Sequence, residues 1–392
     1  MKVEKDYLWQ FLPKEFEYLL DQKTITHSGY TLKTDYLVNM MNELVVKYLF
    51  NNDESYNLWS TLLKRRYGKT YNIYIDYLLE KKFMKLISNY YVGKKAKTYK
   101  LNITTLDITR CKVYDKTLLK KYNKDYLYRT FTSEQESPIP LNLRKKLIDD
   151  LYYVDIDYEK SFKWLNDRKN DNTLDIEKYY RNLSAIDGIN TGHIFFKFDP
   201  YGRLHTNFTV LKKYIRHNYL TIDGEDIDEI DVRNSQPFFF GVVLKNEIGE
   251  ETSNKEILKY IDSVKNGLIY DEILQAFPNE ITTREQAKTL MYIVLFGNNA
   301  DRMGKETRLF NKLYPNVCEY IKDFKYFSDS YKSLSHRLQL LESDFIFGKV
   351  VTEIKQKFPH IRLFTIHDSI CYPIKYKEEI GIIFRKHLNN LL

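Results

Sequence analysis

TTREQAKTLMYIVLFGNN, residues 282–299, sets Arg284, Lys288, Tyr292 and Phe296 at successive four-residue steps, with Gly297 directly after them. Wound as an α-helix, residues four apart share one face and drift slowly around the axis. A helix serving only a core would not carry two cations on the same stripe as two aromatic rings. A helix facing a nucleotide would, because cations grip a triphosphate at one end while rings pack on base and sugar at the other. The plainer alternative is an amphipathic helix whose two cations snorkel to solvent.

On either side of this helix lies an apolar run that ends in a carboxylate. Upstream, IDEID (227–231) places Asp231 before VRNSQP; downstream, LFTIHDSICYP (363–373) places Asp368 in the turn of what its alternation predicts to be a β-hairpin. Two carboxylates brought together from distant strands are what a two-metal site needs, since Mg²⁺ is held by one or two carboxylates and by substrate phosphates. Two such ions, about 3.5 to 4 Å apart, support in-line nucleotidyl transfer. Taken alone, either aspartate is an ordinary surface or turn residue. A strand is also predicted at HIFFKF (193–198), followed by the turn DPYGR, and an amphipathic helix at 376–392.

The ordered set Gly202-Arg203, Asp231, Arg284-x3-Lys288-x3-Tyr292-x3-Phe296-Gly297 and His367-Asp368 resembles the motifs of family A DNA polymerases and of the bacteriophage-type single-subunit RNA polymerases. The resemblance spans about residues 190 to 375. It implies an α+β fold with a right-hand palm built on an antiparallel sheet and with helical fingers. It also implies that Asp231 and Asp368 hold two Mg²⁺ ions, with Mn²⁺ a substitute, and that Arg284 and Lys288 hold the phosphates of the incoming nucleoside triphosphate. Lys288 would in addition stabilise or protonate the leaving group, Tyr292 would pack on base and sugar, and Phe296 with Gly297 would border the template base. His367 would touch the primer-terminal phosphate and Arg203, in YGRLHT, would sit near the primer. HRLQLLESDFIFGKVVTEI (336–354) falls where the family has a helix facing the primer.

The departures carry information too. Family A DNA polymerases have a glutamate five residues after the first aspartate, acting as a steric gate against the ribose 2′-hydroxyl, whereas here that position is Gln236. A bulky gate favours deoxynucleotides. Ser235, and Ser369 in place of an acidic residue, are closer to the RNA enzymes.

N-terminal to this region, 35–50, 54–67 and 70–82 have helical periodicity, and 83–102 alternates as two strands about Gly93, Lys94 and Lys95. Three short helices and a basic hairpin resemble a winged helix-turn-helix, which implies a third helix in a DNA groove and Lys94, Lys95, Lys97 and Lys100 on phosphates. The expected segments are 1–101, winged-helix-like; 102–190, a helical connector or reduced thumb that includes the Pro-rich SEQESPIP; and 191–392, palm and fingers. In VDIDYE (154–159) the acids form a local cluster that reads as a solvated turn, and no spaced acidic triad suggests a proofreading exonuclease.

Composition is compatible with this scheme. Lys and Arg number 61 against 53 Asp and Glu, a net +8 that favours a polyanionic partner, and 34 Tyr and 23 Phe beside that charge suit a nucleic-acid groove, although an AT-rich genome yields the same bias. No apolar run reaches the ~18 residues of a membrane span, and the N-terminus lacks a signal-peptide pattern. Cys111, Cys318 and Cys371 are odd in number and far apart, so neither disulfides nor a zinc knuckle is expected. The expectation is therefore a cytoplasmic, monomeric, template-directed DNA polymerase without proofreading, acting on a DNA primer-template in the replication of a plasmid, phage or other mobile element. Its rivals are a small RNA polymerase or primase and a non-catalytic DNA-binding replication initiator.

Overall fold

The computed structural model describes residues 5–51, 55–89, 97–102, 107–121, 137–248, 254–298, 304–328 and 330–392. Its fold is α+β, with helices joined to several small antiparallel sheets. The described helices include none long and apolar enough to cross a membrane. Two compact units are each gathered from separated stretches. One comprises Met1–Glu134, Tyr152–Lys197 and Thr206–Gly224; the other comprises Gln135–Leu151, Phe198–His205 and Glu225–Leu392.

In the first unit, helices Thr34–Asn51, Ser60–Tyr67 and Tyr71–Glu80 accompany a sheet in which Thr98–Leu101 pairs with both Ser55–Asn57 and Met84–Ser88. Ser55–Asn57, expected within a helix, is instead a strand because Tyr56 is buried opposite Tyr99. Gly68, at φ +86°, provides the left-handed turn that separates the second and third helices. A buried polar chain ties the second helix to the first: Tyr67 donates to Asn39 Oδ1 (2.8 Å), and Asn39 donates to Gln10 Oε1 (3.0 Å).

The outward face of the third helix carries Asn72, Asp76 and Glu80. Two carboxylates there oppose the DNA-groove role expected of that helix, since phosphates would be repelled. Exposed cations lie on the second helix, at Lys64 and Arg65, and directly after the third, at Lys81 and Lys82. Lys97 is exposed next to its strand, while Lys94 and Lys95 lie outside the described residues.

The stretch expected to be a helical connector also contributes a strand. Ile108–Val113 pairs antiparallel with Leu8–Pro13, with Phe11 opposite Arg110. Arg110 stacks over the Trp9 ring at 3.3 Å and donates from Nε to Asp187 Oδ2 at 2.8 Å. Asp157, in the acidic cluster, caps helix Tyr158–Asn170 by accepting from Lys160 N (3.1 Å).

The second unit is built on three strands, with Ser369–Pro373 paired on one side with Phe364–Ile366 and on the other with Glu225–Asp231. Phe239, Phe345 and Phe384, each about 1% exposed, meet edge-on or tilted at ring-centroid distances of 6.0 and 5.2 Å. They join helices Ser235–Ile248 and Lys377–Asn389 to the helical turn Asp344–Val351. Truncating a ring in such a cluster costs about 3–5 kcal/mol. Lys355 pairs with buried Asp150 and donates to Ile361 O (2.6 Å), and Leu363 N donates to Asp150 Oδ2 (3.1 Å). These bonds fix the chain just before the Phe364–Ile366 strand.

Candidate active site

Strand register brings the two aspartates together. Glu225–Asp231 runs antiparallel to Ser369–Pro373 with Asp231 opposite Ser369, and Ile366 faces Ser369 across the hairpin, leaving His367 and Asp368 as its two-residue turn. His367 adopts φ +52°, in the left-handed region a tight hairpin requires. Asn234, at φ +43°, reverses the chain after Asp231 so that helix Ser235–Ile248 begins close by. Burial raises the Asp368 carboxyl above the usual carboxylate range and repulsion from Asp231 adds to the rise, while a hydrogen bond from Ser235 and the Arg203 guanidinium act in the opposite sense.

The helix predicted over 282–299 spans Arg284–Phe296. A capping box starts it: Gln286 N donates to Thr283 Oγ1 (3.3 Å) and Thr283 N donates to Gln286 Oε1 (3.2 Å). Ala287, Leu290, Met291, Val294 and Leu295 form its buried face, which leaves Arg284, Lys288 and Tyr292 exposed and Phe296 half-buried. Tyr292 and Phe296 meet edge-on at 4.8 Å. Buried Lys325 closes the far end, donating to the carbonyls of Val294 and Gly297 at 2.8 Å each. Gly297 is thus a helix cap, and it is absent from the cleft lining.

A cleft of about 500 Å³ is lined by Arg203, Asp231, Gln236, Arg284, Lys288, Tyr292, Phe296, His367 and Asp368 together with Glu342. Nine of the residues selected from sequence therefore share one cavity within one unit. They are not equally available to a ligand. Arg284 is paired with Asp271 (2.6 Å) beside the ring of Tyr270. Among the described residues Lys288 has no carboxylate partner.

Arg203 reaches the cleft from the turn DPYGR. Asp199 Oδ1 accepts from the backbone N–H groups of Tyr201 and Arg203, both at 2.9 Å. Gly202 closes the turn at φ +84°, where an added Cβ would stand 2.1 Å from Ser343 Oγ and 2.8 Å from Pro138 Cγ. Gly202→Ala is accordingly expected to destabilise the protein by about 2–4 kcal/mol, measured as a lower denaturant midpoint, because strain and overpacking act together.

Glu342 belongs to the site although no sequence motif marks it. It is 2% exposed and accepts from Arg203 through Nε (2.8 Å) and Nη2 (3.0 Å), from Gln236 Nε2, and more weakly from Ser235 Oγ (3.4 Å). Burial pushes its carboxyl up to about 7 against the attraction of Arg203, and the charge of Asp368 adds to the rise. One signal was present: Glu342 continues the stripe of Leu334 and Leu338, an apolar face where a lone carboxylate demands a partner. A π-helical stretch, Asp344–Val351, starts two residues later, a local irregularity common near functional sites.

Among the described residues no group of three or more His, Cys, Asp or Glu side chains is arranged to hold a metal ion. Asp231 and Asp368 nevertheless fit a Mg²⁺ role, since their mutual repulsion is what a cation between them relieves, and phosphate and water complete such a shell. Glu342 is engaged by Arg203 and Gln236, so it is not a further ligand. No protein-family model matches the chain, and no curated protein matches it.

Proposed function

We propose that the chain is a template-directed nucleotidyltransferase, and specifically a DNA-directed DNA polymerase whose second unit serves as palm and fingers. One observation carries this reading: strand register joins Asp231 to Asp368 in the same cleft that the Arg284, Lys288, Tyr292 and Phe296 face borders. A mere amphipathic helix has no reason to set two cations and two rings along the same cleft as a carboxylate pair.

In this reading Asp231 and Asp368 hold Mg²⁺, which when bound lowers the pKa of the primer 3′-hydroxyl and neutralises charge on the departing pyrophosphate. Lys288 binds the triphosphate and offers its ammonium to the leaving group. Arg284 reinforces it once the phosphates compete with Asp271 for its guanidinium. Tyr292 packs against base and sugar, Phe296 borders the template base, and together they exclude water from the reacting phosphate. Gln236 borders the sugar. Movement of the capped helix toward the strands would test pair geometry before chemistry.

The helix–strand arrangement of the first unit supports a winged-helix-like module. The carboxylates at Asp76 and Glu80 shift its proposed DNA contacts from the third helix to the cations of the second.

The test is primer extension by the full chain with Mg²⁺, supplying dNTPs and NTPs in parallel on DNA and RNA templates. Templated incorporation of dNTPs without 3′ to 5′ degradation is the expected result. Chain initiation from NTPs alone would replace the reading with a primase, and absence of any incorporation would remove it.

A further inference from the structure

Gln236 is held in a way its own environment does not favour. Its Nε2 donates to Glu342, yet its Oε1 is enclosed without a hydrogen-bond partner. A buried acceptor left unpaired is unfavourable, and turning the amide over would set Oε1 against the Glu342 carboxylate. The side chain therefore stays where it is because Glu342 keeps it there. Glu342 is itself fixed: it is 2% exposed and clamped by both nitrogens of the Arg203 fork, and Arg203 is set by the Asp199 turn. The chain of contacts runs from a rigid turn through a buried carboxylate to a side chain on the cleft wall.

We infer that Glu342 is a positioning residue that holds Gln236 rigid against the sugar of the incoming nucleotide, so that the site takes deoxynucleoside triphosphates and turns away those with a 2′-hydroxyl. This rests on the polymerase reading. A glutamine on a free tether has three rotatable bonds and yields to an added hydroxyl by swinging aside. One tied to a buried, doubly clamped carboxylate must break a charge-assisted bond to move. Selectivity then depends on the tether as much as on the bulk of the gate.

Two substitutions separate tether from bulk. Glu342→Gln leaves a single acceptor oxygen for which Arg203 and Gln236 compete. Gln236→Met keeps the length of the side chain and removes the bond, and it serves equally if Glu342→Gln does not fold. Single-turnover incorporation of a dNTP and its matching NTP is measured for the wild-type chain, each variant and the double variant. The wild type is expected to prefer the dNTP by about 100-fold or more, a difference of ~2.7 kcal/mol.

Either variant should narrow that preference about tenfold, through a gain in kcat/KM for the NTP, and the double variant should narrow it no further, since both changes cut the same tether. An unchanged ratio in Gln236→Met, or a loss shared equally by both nucleotides, overturns the inference and leaves the polymerase reading standing. So does a wild type indifferent to the sugar. A wild type that incorporates neither nucleotide overturns the polymerase reading and the inference together.

Discussion

Asp368→Ala is expected to reduce primer extension by at least about a thousandfold, some 4 kcal/mol in the barrier, with duplex affinity nearly unchanged. The size follows from where the residue sits. Asp368 occupies the turn between strands Phe364–Ile366 and Ser369–Pro373, and register sets it beside Asp231. Burial and the Asp231 charge both raise its carboxyl, so the pair is repulsive until a cation enters. Removing one member ends that demand for a cation and leaves Asp231, exposed, as a lone ligand. The turn itself should survive, because its backbone is held between the flanking strand pairs. Asp231→Asn, at the end of its strand, should give a loss of the same order. Parallel extension and filter-binding assays check both halves of the expectation, and extension retained in Asp368→Ala would sink the assignment of the pair.

Much of this cleft was legible because its parts are written locally. An apolar strand that ends in aspartate is visible at 227–231 and again at 363–368, and four-residue spacing declares the face shared by Arg284, Lys288 and Tyr292. The capping box at Thr283 and Gln286 also lies within one turn of chain. Glu342 was not legible, since its meaning comes from Arg203, 139 residues away, and from Gln236, 106 residues away. Its place on an apolar stripe says only that some partner must exist. The strand Ile108–Val113 was missed for a similar reason: its partner Leu8–Pro13 lies about a hundred residues upstream, and the sequence between them carries stronger helical signals. The charge of the third N-terminal helix is a different case. Asp76 and Glu80 were in plain sight, but only the folded helix shows that they are the face left to solvent.

Lys288→Ala is expected to lower kcat/KM for the incoming nucleotide about 100- to 1000-fold, and Arg284→Ala up to about fivefold less, the worth of the exposed ion pair it gives up. The two cations are one turn apart on one helix face, so spacing alone ranks them equally. Their partners do not. Arg284 already has Asp271 at 2.6 Å, and part of any gain on binding phosphate is spent in breaking that pair. Lys288 has no such carboxylate among the described residues, so in the proposed reading its charge would meet a triphosphate without a competing loss. A cation aimed at developing charge contributes on the order of 3–4 kcal/mol to the transition state once closure over the substrate excludes water. Lys288→Arg retains charge but not the compact, rotatable ammonium, and should recover binding more than turnover. Steady-state and single-turnover kinetics separate these terms: a loss confined to KM would make Lys288 a binding residue only, whereas a shared fall in kcat and kcat/KM marks an interaction made in the transition state. Asp271→Asn offers a control in the opposite direction, since freeing Arg284 should partly compensate Lys288→Ala while leaving the wild-type background little changed. If Arg284→Ala proved the more damaging, the ion pair with Asp271 would have to be a support for the bound nucleotide instead of a competitor for the guanidinium.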